Sequence, residues 1–122
     1  MTRPVFLNLS KMKFPPMAIV SILHRITGVV IFLGLPLALY LLDQSLQSPA
    51  RFLDIQAFLA IPLIKFTAWV LLIAVAYHFL AGLRHMIMDC GFGEHLRTAR
   101  ITAYLIICVS MMAAIFLGVW LW

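Results

Sequence analysis

The sequence predicts an all-α integral membrane protein with three transmembrane helices. Three observations carry this. The 122 residues are 65% hydrophobic and only 11% charged, with a mean hydropathy of +1.09. A soluble domain is nearer 45–50% apolar and about 25% charged, so polar surface is too scarce here to cover a globule in water. The apolar residues gather into three long stretches, and basic residues flank them. The net charge of +5 therefore reads as membrane topology rather than nucleic-acid affinity, because no soluble domain is present to carry a basic face. One membrane-anchor domain fits the length.

Residues 1–16 form a mixed tail. Arg3, Lys11 and Lys13 are basic, no residue is acidic, and Pro15-Pro16 marks a helix start. The apolar run that follows is too long for a secretory signal, and Arg25 interrupts its beginning. The tail is expected to be retained and to lie on the membrane surface. The first span covers residues 17–42. Its uninterrupted part, from Ile26, is at the short limit for about 30 Å of hydrocarbon. The helix must start earlier, which puts Ser21, His24 and Arg25 at the membrane boundary. Pro36 is tolerable within it as a kink.

The first loop, residues 43–62, opens with Asp43, Gln44 and Ser45, which should end the helix. Phe52, Leu53, Ile55, Phe58 and Leu59 are spaced for a short interfacial helix. The second span is residues 63–85, with Lys65 and Trp69 as snorkelling and interface anchors. A second loop covers residues 86–100. The third span, residues 101–122, ends on Trp120 and Trp122. On the N-terminal side stand Arg3, Lys11, Lys13, Arg25, Arg84, Arg97 and Arg100; the other side has Arg51 and Lys65. That excess predicts a cytoplasmic N-terminus and a periplasmic C-terminus. The first loop is then periplasmic and the second cytoplasmic. Cys90 and Cys108 form neither a disulfide framework nor a metal-binding spacing. Met86, Met88, Met111 and Met112 read as packing residues rather than soft metal ligands.

The stretch from Tyr77 to Asp89 carries the chemistry. His78 lies inside the second span, six residues or about 9 Å below Arg84 at the helical rise. A charged side chain at mid-membrane costs about 2.5–3.5 kcal/mol on insertion scales. A neutral imidazole is tolerated if one nitrogen binds a metal and the other is hydrogen-bonded. Gly82, one turn on, leaves a flat gap that would suit a porphyrin edge, and Arg84 and His85 would meet anionic groups such as propionates. A bond from His78 to a helix carbonyl, with Gly82 as a packing residue, accounts for the same pattern. His24, His85 and His95 are at the boundary or in a loop, so none stands opposite His78 at its depth. A bis-histidine haem would then take its second ligand from another chain.

A second constellation is Ser21, His24, Arg25 and Gly28. Ser21 and Arg25 are i,i+4 neighbours. A hydroxyl, an imidazole and a guanidinium at the boundary suit quinone carbonyl oxygens, propionates or lipid phosphate. A snorkelling arginine held by headgroups fits equally well. Asp89 is a partner for Arg84, a proton relay, or a plain helix-end charge.

Two stretches together resemble a known family. Arg3-Pro4-Val5 with Ser21-Ile22-Leu23-His24-Arg25-Ile26-Thr27, and His78-Phe79-Leu80-Ala81-Gly82-Leu83-Arg84-His85-Met86-Ile87-Met88-Asp89-Cys90-Gly91, are similar to the cytochrome b subunits of succinate dehydrogenase, proteobacterial type. These are membrane anchors of respiratory complex II. The resemblance covers essentially the whole chain.

It implies a chain that binds haem b together with a second anchor subunit. His78 would be the axial iron ligand and that partner would supply the other. Ser21 and Arg25 would be ubiquinone-site residues, and His24, His85 and Arg25 possible contacts of the haem propionates. An iron–sulfur subunit and a flavoprotein carrying FAD would complete the complex in a bacterial inner membrane. Trimers of such heterotetramers stay open. Succinate oxidation would belong to the partners, since this chain has no nucleotide-binding glycine pattern and no cluster cysteines. Two rivals remain: the anchor of a related fumarate reductase, and a small non-redox transporter with His78 as proton relay.

Overall fold

The computed structural model describes residues 13–122 and is all-helical there. Four helices follow in order: α1 (Pro16–Leu46), α2 (Pro49–Ala60), α3 (Pro62–Asp89) and α4 (Leu96–Leu121). Three of them, α1, α3 and α4, are long and apolar enough to cross a membrane. The tail with Arg3-Pro4-Val5 and Lys11 lies outside the described residues.

Proline starts three of the helices. Pro16, Pro49 and Pro62 each stand in the first turn, where a missing N–H costs nothing and φ is already helical. Ser48 adds a side-chain cap to α2, accepting from the Arg51 backbone N–H at 3.2 Å. The short helix expected from Phe52, Leu53, Ile55, Phe58 and Leu59 is α2, which touches both α1 and α3. Helix α3 ends in a Schellman motif: Gly91 N–H donates to the Met88 carbonyl and Phe92 N–H to that of Ile87. Gly91 has φ +84° there, a left-handed conformation that a Cβ would strain.

Each helix outruns its apolar stretch. Asp43, Gln44 and Ser45 do not end α1, which continues to Leu46. Asp43 instead accepts from Gln47 Nε2 at 3.2 Å along the helix. Met86 to Asp89 extend α3, and α4 begins at Leu96, so only residues 90–95 connect them. Polar residues end a hydrocarbon span, but they leave the backbone ladder intact in water or among headgroups.

The core is small. Val20, Tyr77, Ala81, Ala103 and Ile106 meet at its centre, with Met17, Leu80 and Ile107 against them. Alanines at the crossing let α3 and α4 approach closely, as small residues do where no hydrophobic effect drives helices together. The Tyr77 hydroxyl donates to the Val20 carbonyl at 2.9 Å and ties α3 to α1. Most large apolar side chains point outward, Phe32, Leu33, Phe79, Ile115 and Phe116 among them. Met86, Met111 and Met112 are also exposed rather than packed within the chain.

Candidate functional site

Helices α1 and α3 run antiparallel, and their register brings the two histidine stretches together. Each histidine faces the glycine one turn beyond the histidine of the other helix. A Cβ on Gly28 would lie 3.1 Å from His78 Cε1, and one on Gly82 would lie 3.2 Å from His24 Nε2. The two rings stack with centroids 4.0 Å apart and planes inclined by 14°. His85 stands next in line, 5.2 Å from His24 and tilted by 54°.

This corrects two expectations. Gly82 does not leave an open gap for a porphyrin edge, because the His24 ring fills it. Nor is His24 confined to the boundary above His78; it packs directly on it. The stack is still not the arrangement of two ligands about one metal. Such ligands point nitrogens at a common centre, whereas these rings lie face to face and His24 Nε2 is buried in the Gly82 notch.

His78 Nδ1 lies 3.0 Å from the His24 carbonyl oxygen. A carbonyl only accepts, so Nδ1 carries the proton and Nε2 keeps its lone pair. Among the described residues nothing bonds Nε2. That is the donor set a metal-ligating histidine presents: one nitrogen oriented by a backbone oxygen, the other bare. Also among the described residues, no group of three or more His, Cys, Asp or Glu side chains is placed to hold a metal ion. A single such nitrogen would suit the iron of a haem, which brings the porphyrin nitrogens with it. The residues therefore fit a haem. His24 Nε2 is buried and has no hydrogen-bond partner among the described residues, a state costing about 1–3 kcal/mol.

Ser21 is half-buried and Arg25 exposed, on the flank of α1 level with the histidines. Among the described residues neither makes a side-chain hydrogen bond or ion pair, so both remain available to a ligand.

Arg84 behaves differently from expectation. It is only 7% exposed and turns away from the boundary toward α4. Its Nε donates to Thr102 Oγ1 and its Nη2 to the Ala99 carbonyl, both at 3.0 Å. Its flexible stem reaches across the seam to two oxygens that a headgroup region need not supply. Asp89 is exposed and does not meet it. Trp69, expected as an interface anchor, donates from Nε1 to the Ala114 carbonyl of α4 at 3.0 Å. Lys65 stands 5.6 Å over the Trp122 ring. Tyr77, Thr27 and Thr102 were not singled out by the sequence. The signal for Thr27 was its place three residues after His24, on the same face. Cys90 and Cys108 are free thiols.

Residues 1–117 match the family described as Succinate dehydrogenase/Fumarate reductase transmembrane subunit. The chain is 46% identical over 121 residues to the succinate dehydrogenase cytochrome b556 subunit of Coxiella burnetii, covering 98% of this chain and 97% of that one. It is 31% identical over 117 residues to the subunit of that name from Paracoccus denitrificans, covering 93% and 87%. The cytochrome b560 subunit of Reclinomonas americana is 31% identical over 119 residues, covering 90% and 80%. The family match takes in both histidine stretches and the Ser21–Arg25 pair, and three helices are long and apolar enough to cross a membrane, as the family's description requires. The chain belongs to the succinate dehydrogenase/fumarate reductase transmembrane subunit family.

Proposed function

We propose that this chain is the cytochrome b membrane anchor of a succinate dehydrogenase and helps to form its ubiquinone-reduction site. The observation that carries the reading is His78, whose Nδ1 is held by a carbonyl while Nε2 stays bare, in a chain whose relatives are named cytochrome b subunits. Those relatives are succinate dehydrogenase subunits, which favours that enzyme over the fumarate reductase also embraced by the family's description.

In this reading His78 Nε2 would hold the iron of haem b, with a further ligand coming from a second anchor subunit. The haem, when bound, supplies reversible one-electron storage. His24 and His85, in line beside His78, would stand near the haem carboxylates, His24 Nε2 having first to leave the Gly82 notch. Arg25 holds the negative charge that grows on a quinone oxygen as ubiquinone is reduced, and Ser21 donates a hydrogen bond to a carbonyl oxygen. Electrons from succinate reach this site through the FAD and iron–sulfur clusters of the partner subunits.

The excess of basic residues supports a cytoplasmic N-terminus and α3–α4 connection and a periplasmic C-terminus in a bacterial inner membrane. Arg84 drops out of that count because it is buried between helices. The remaining six on that side against Arg51 and Lys65 leave the bias intact.

The test uses the purified complex. His78→Ala should abolish the b-type haem absorption; a normal spectrum with its low-spin signal sinks the ligand assignment. Arg25→Ala or Ser21→Ala should lower ubiquinone reductase activity by roughly 10-fold or more, the worth of one hydrogen bond to a charged group, and leave succinate–dye activity intact. Unchanged ubiquinone turnover in both would remove the quinone site from these residues.

A further inference from the structure

His78 Nδ1 has a second oxygen beside it, Thr27 Oγ1 at 3.2 Å. The Thr27 hydroxyl in turn lies 2.9 Å from the Leu23 carbonyl and 3.0 Å from the His24 carbonyl on its own helix. That hydroxyl has one hydrogen to give. If it donated to His78, Nδ1 would hold a lone pair facing the His24 carbonyl oxygen at 3.0 Å, and the ring would be repelled from the place it occupies. If Nδ1 carries the hydrogen, every contact is favourable. The N–H is shared between the His24 carbonyl and Thr27 Oγ1, while the hydroxyl hydrogen turns back to the helix carbonyls.

Threonine suits this place physically. In a helix its hydroxyl commonly bonds the carbonyl three or four residues back, which leaves an oxygen lone pair for a neighbour. Gly28, the next residue, brings the neighbour within reach: a Cβ there would crowd His78 Cε1 at 3.1 Å. The Thr27 oxygen and the Gly28 gap thus act on the same ring.

We propose that Thr27 is a positioning residue for the haem ligand: together with the His24 carbonyl, its hydroxyl oxygen holds the His78 ring with Nδ1 protonated and Nε2 bare, and strengthens Nε2 as a donor to iron. This rests on the reading of His78 as the axial ligand. Thr27 acts through the His78 ring it contacts, not on the iron itself. A hydrogen bond at Nδ1 pushes electron density toward Nε2, and the chain Nδ1–H to hydroxyl to carbonyl polarises in one direction. A stronger donor favours ferric over ferrous iron, so Thr27 lowers the haem midpoint potential.

The experiment is a redox titration of the haem in the purified complex, with the low-spin ferric resonance recorded alongside, for Thr27→Val and Thr27→Ser. Thr27→Val should shift the midpoint potential upward and displace the resonance, while Thr27→Ser should restore both toward wild type. If Thr27→Val assembles without haem and Thr27→Ser stays loaded, the hydroxyl requirement stands. A loaded Thr27→Val complex that titrates as wild type overturns the proposal. So does loss of haem from both variants, which would make the role one of packing. His78→Ala separates the two levels. Native haem in that variant removes the ligand reading itself, whereas haem lost there but unmoved in Thr27→Val removes only the role of Thr27.

Discussion

Helix α3 meets its neighbours along two seams made from similar ingredients, small residues with a few polar groups between them, and the two seams end differently. Toward α4 the polar groups close on each other. Arg84 reaches Thr102 and Ala99, and Trp69 reaches Ala114. Ser110, buried with no bonded partner, is the exception on that side. Toward α1 the Tyr77 hydroxyl and His78 Nδ1 are bonded to backbone oxygens, but the other polar groups are left open. His24 Nε2 has no partner, His78 offers a bare nitrogen, and Ser21 and Arg25 make no bond among the described residues. A polar group inside a membrane is costly in either place. Where the chain satisfies it, the group holds helices together; where Ser21, Arg25 and His78 Nε2 stay unbonded among the described residues, the group is available to a ligand.

The contrast can be broken most forcefully at Arg84. Arg84→Ala should destabilise the bundle by about 3 kcal/mol, since each of two bonds to a charged group is worth roughly 1.5 kcal/mol. The check is the thermal midpoint of the detergent-solubilised complex, and the haem spectrum should remain native. Loss of haem with stability unchanged would move Arg84 from the α4 seam to the haem site.

Smaller effects are expected at the paired glycines. Gly28→Ala and Gly82→Ala each put a methyl group 3.1–3.2 Å from an imidazole atom of the facing helix, so each ring must move by a few tenths of an ångström. Stability should change by only about 1 kcal/mol, because overpacking is offset by alanine's better helix propensity. The spectra should differ. Gly28→Ala displaces His78 and should alter the haem absorption and low-spin signal, whereas Gly82→Ala displaces His24 and should alter them less. Equal perturbation by both would mean that the ligand does not lie on the Gly28 side. Trp69→Phe has a stability effect of similar size and none on the haem: it loses one hydrogen bond to Ala114, about 1 kcal/mol. Its thermal midpoint should fall slightly, with the haem spectrum unchanged.

The three long helices, the short helix after Ser48 and the two histidine stretches were all legible in the sequence. Apolar run length, proline position and i,i+4 spacing are properties of one helix at a time, and they survive folding. Helix ends were less legible. The sequence marks where hydrocarbon must stop, as at Asp43, while the helix runs on to Leu46.

Within the site, residue types and their helix faces were readable, while the depth of His24, the burial of Arg84 and the contacts were not. Nothing within a single helix says that Gly82 holds the His24 ring or that Arg84 turns to Thr102. Periodicity assigns a residue to a face of its own helix; what that face meets depends on the register of the next one. By itself the sequence determined three apolar helices long enough to cross a membrane and pointed to His78, Ser21 and Arg25 as the residues proposed to carry the chemistry. Only the tertiary structure decided that α1 and α3 exchange histidines and glycines, and that Thr27 and the His24 carbonyl converge on one ring nitrogen. The physical reason is that a hydrogen bond between helices forms over a few tenths of an ångström, and only packing fixes positions that finely.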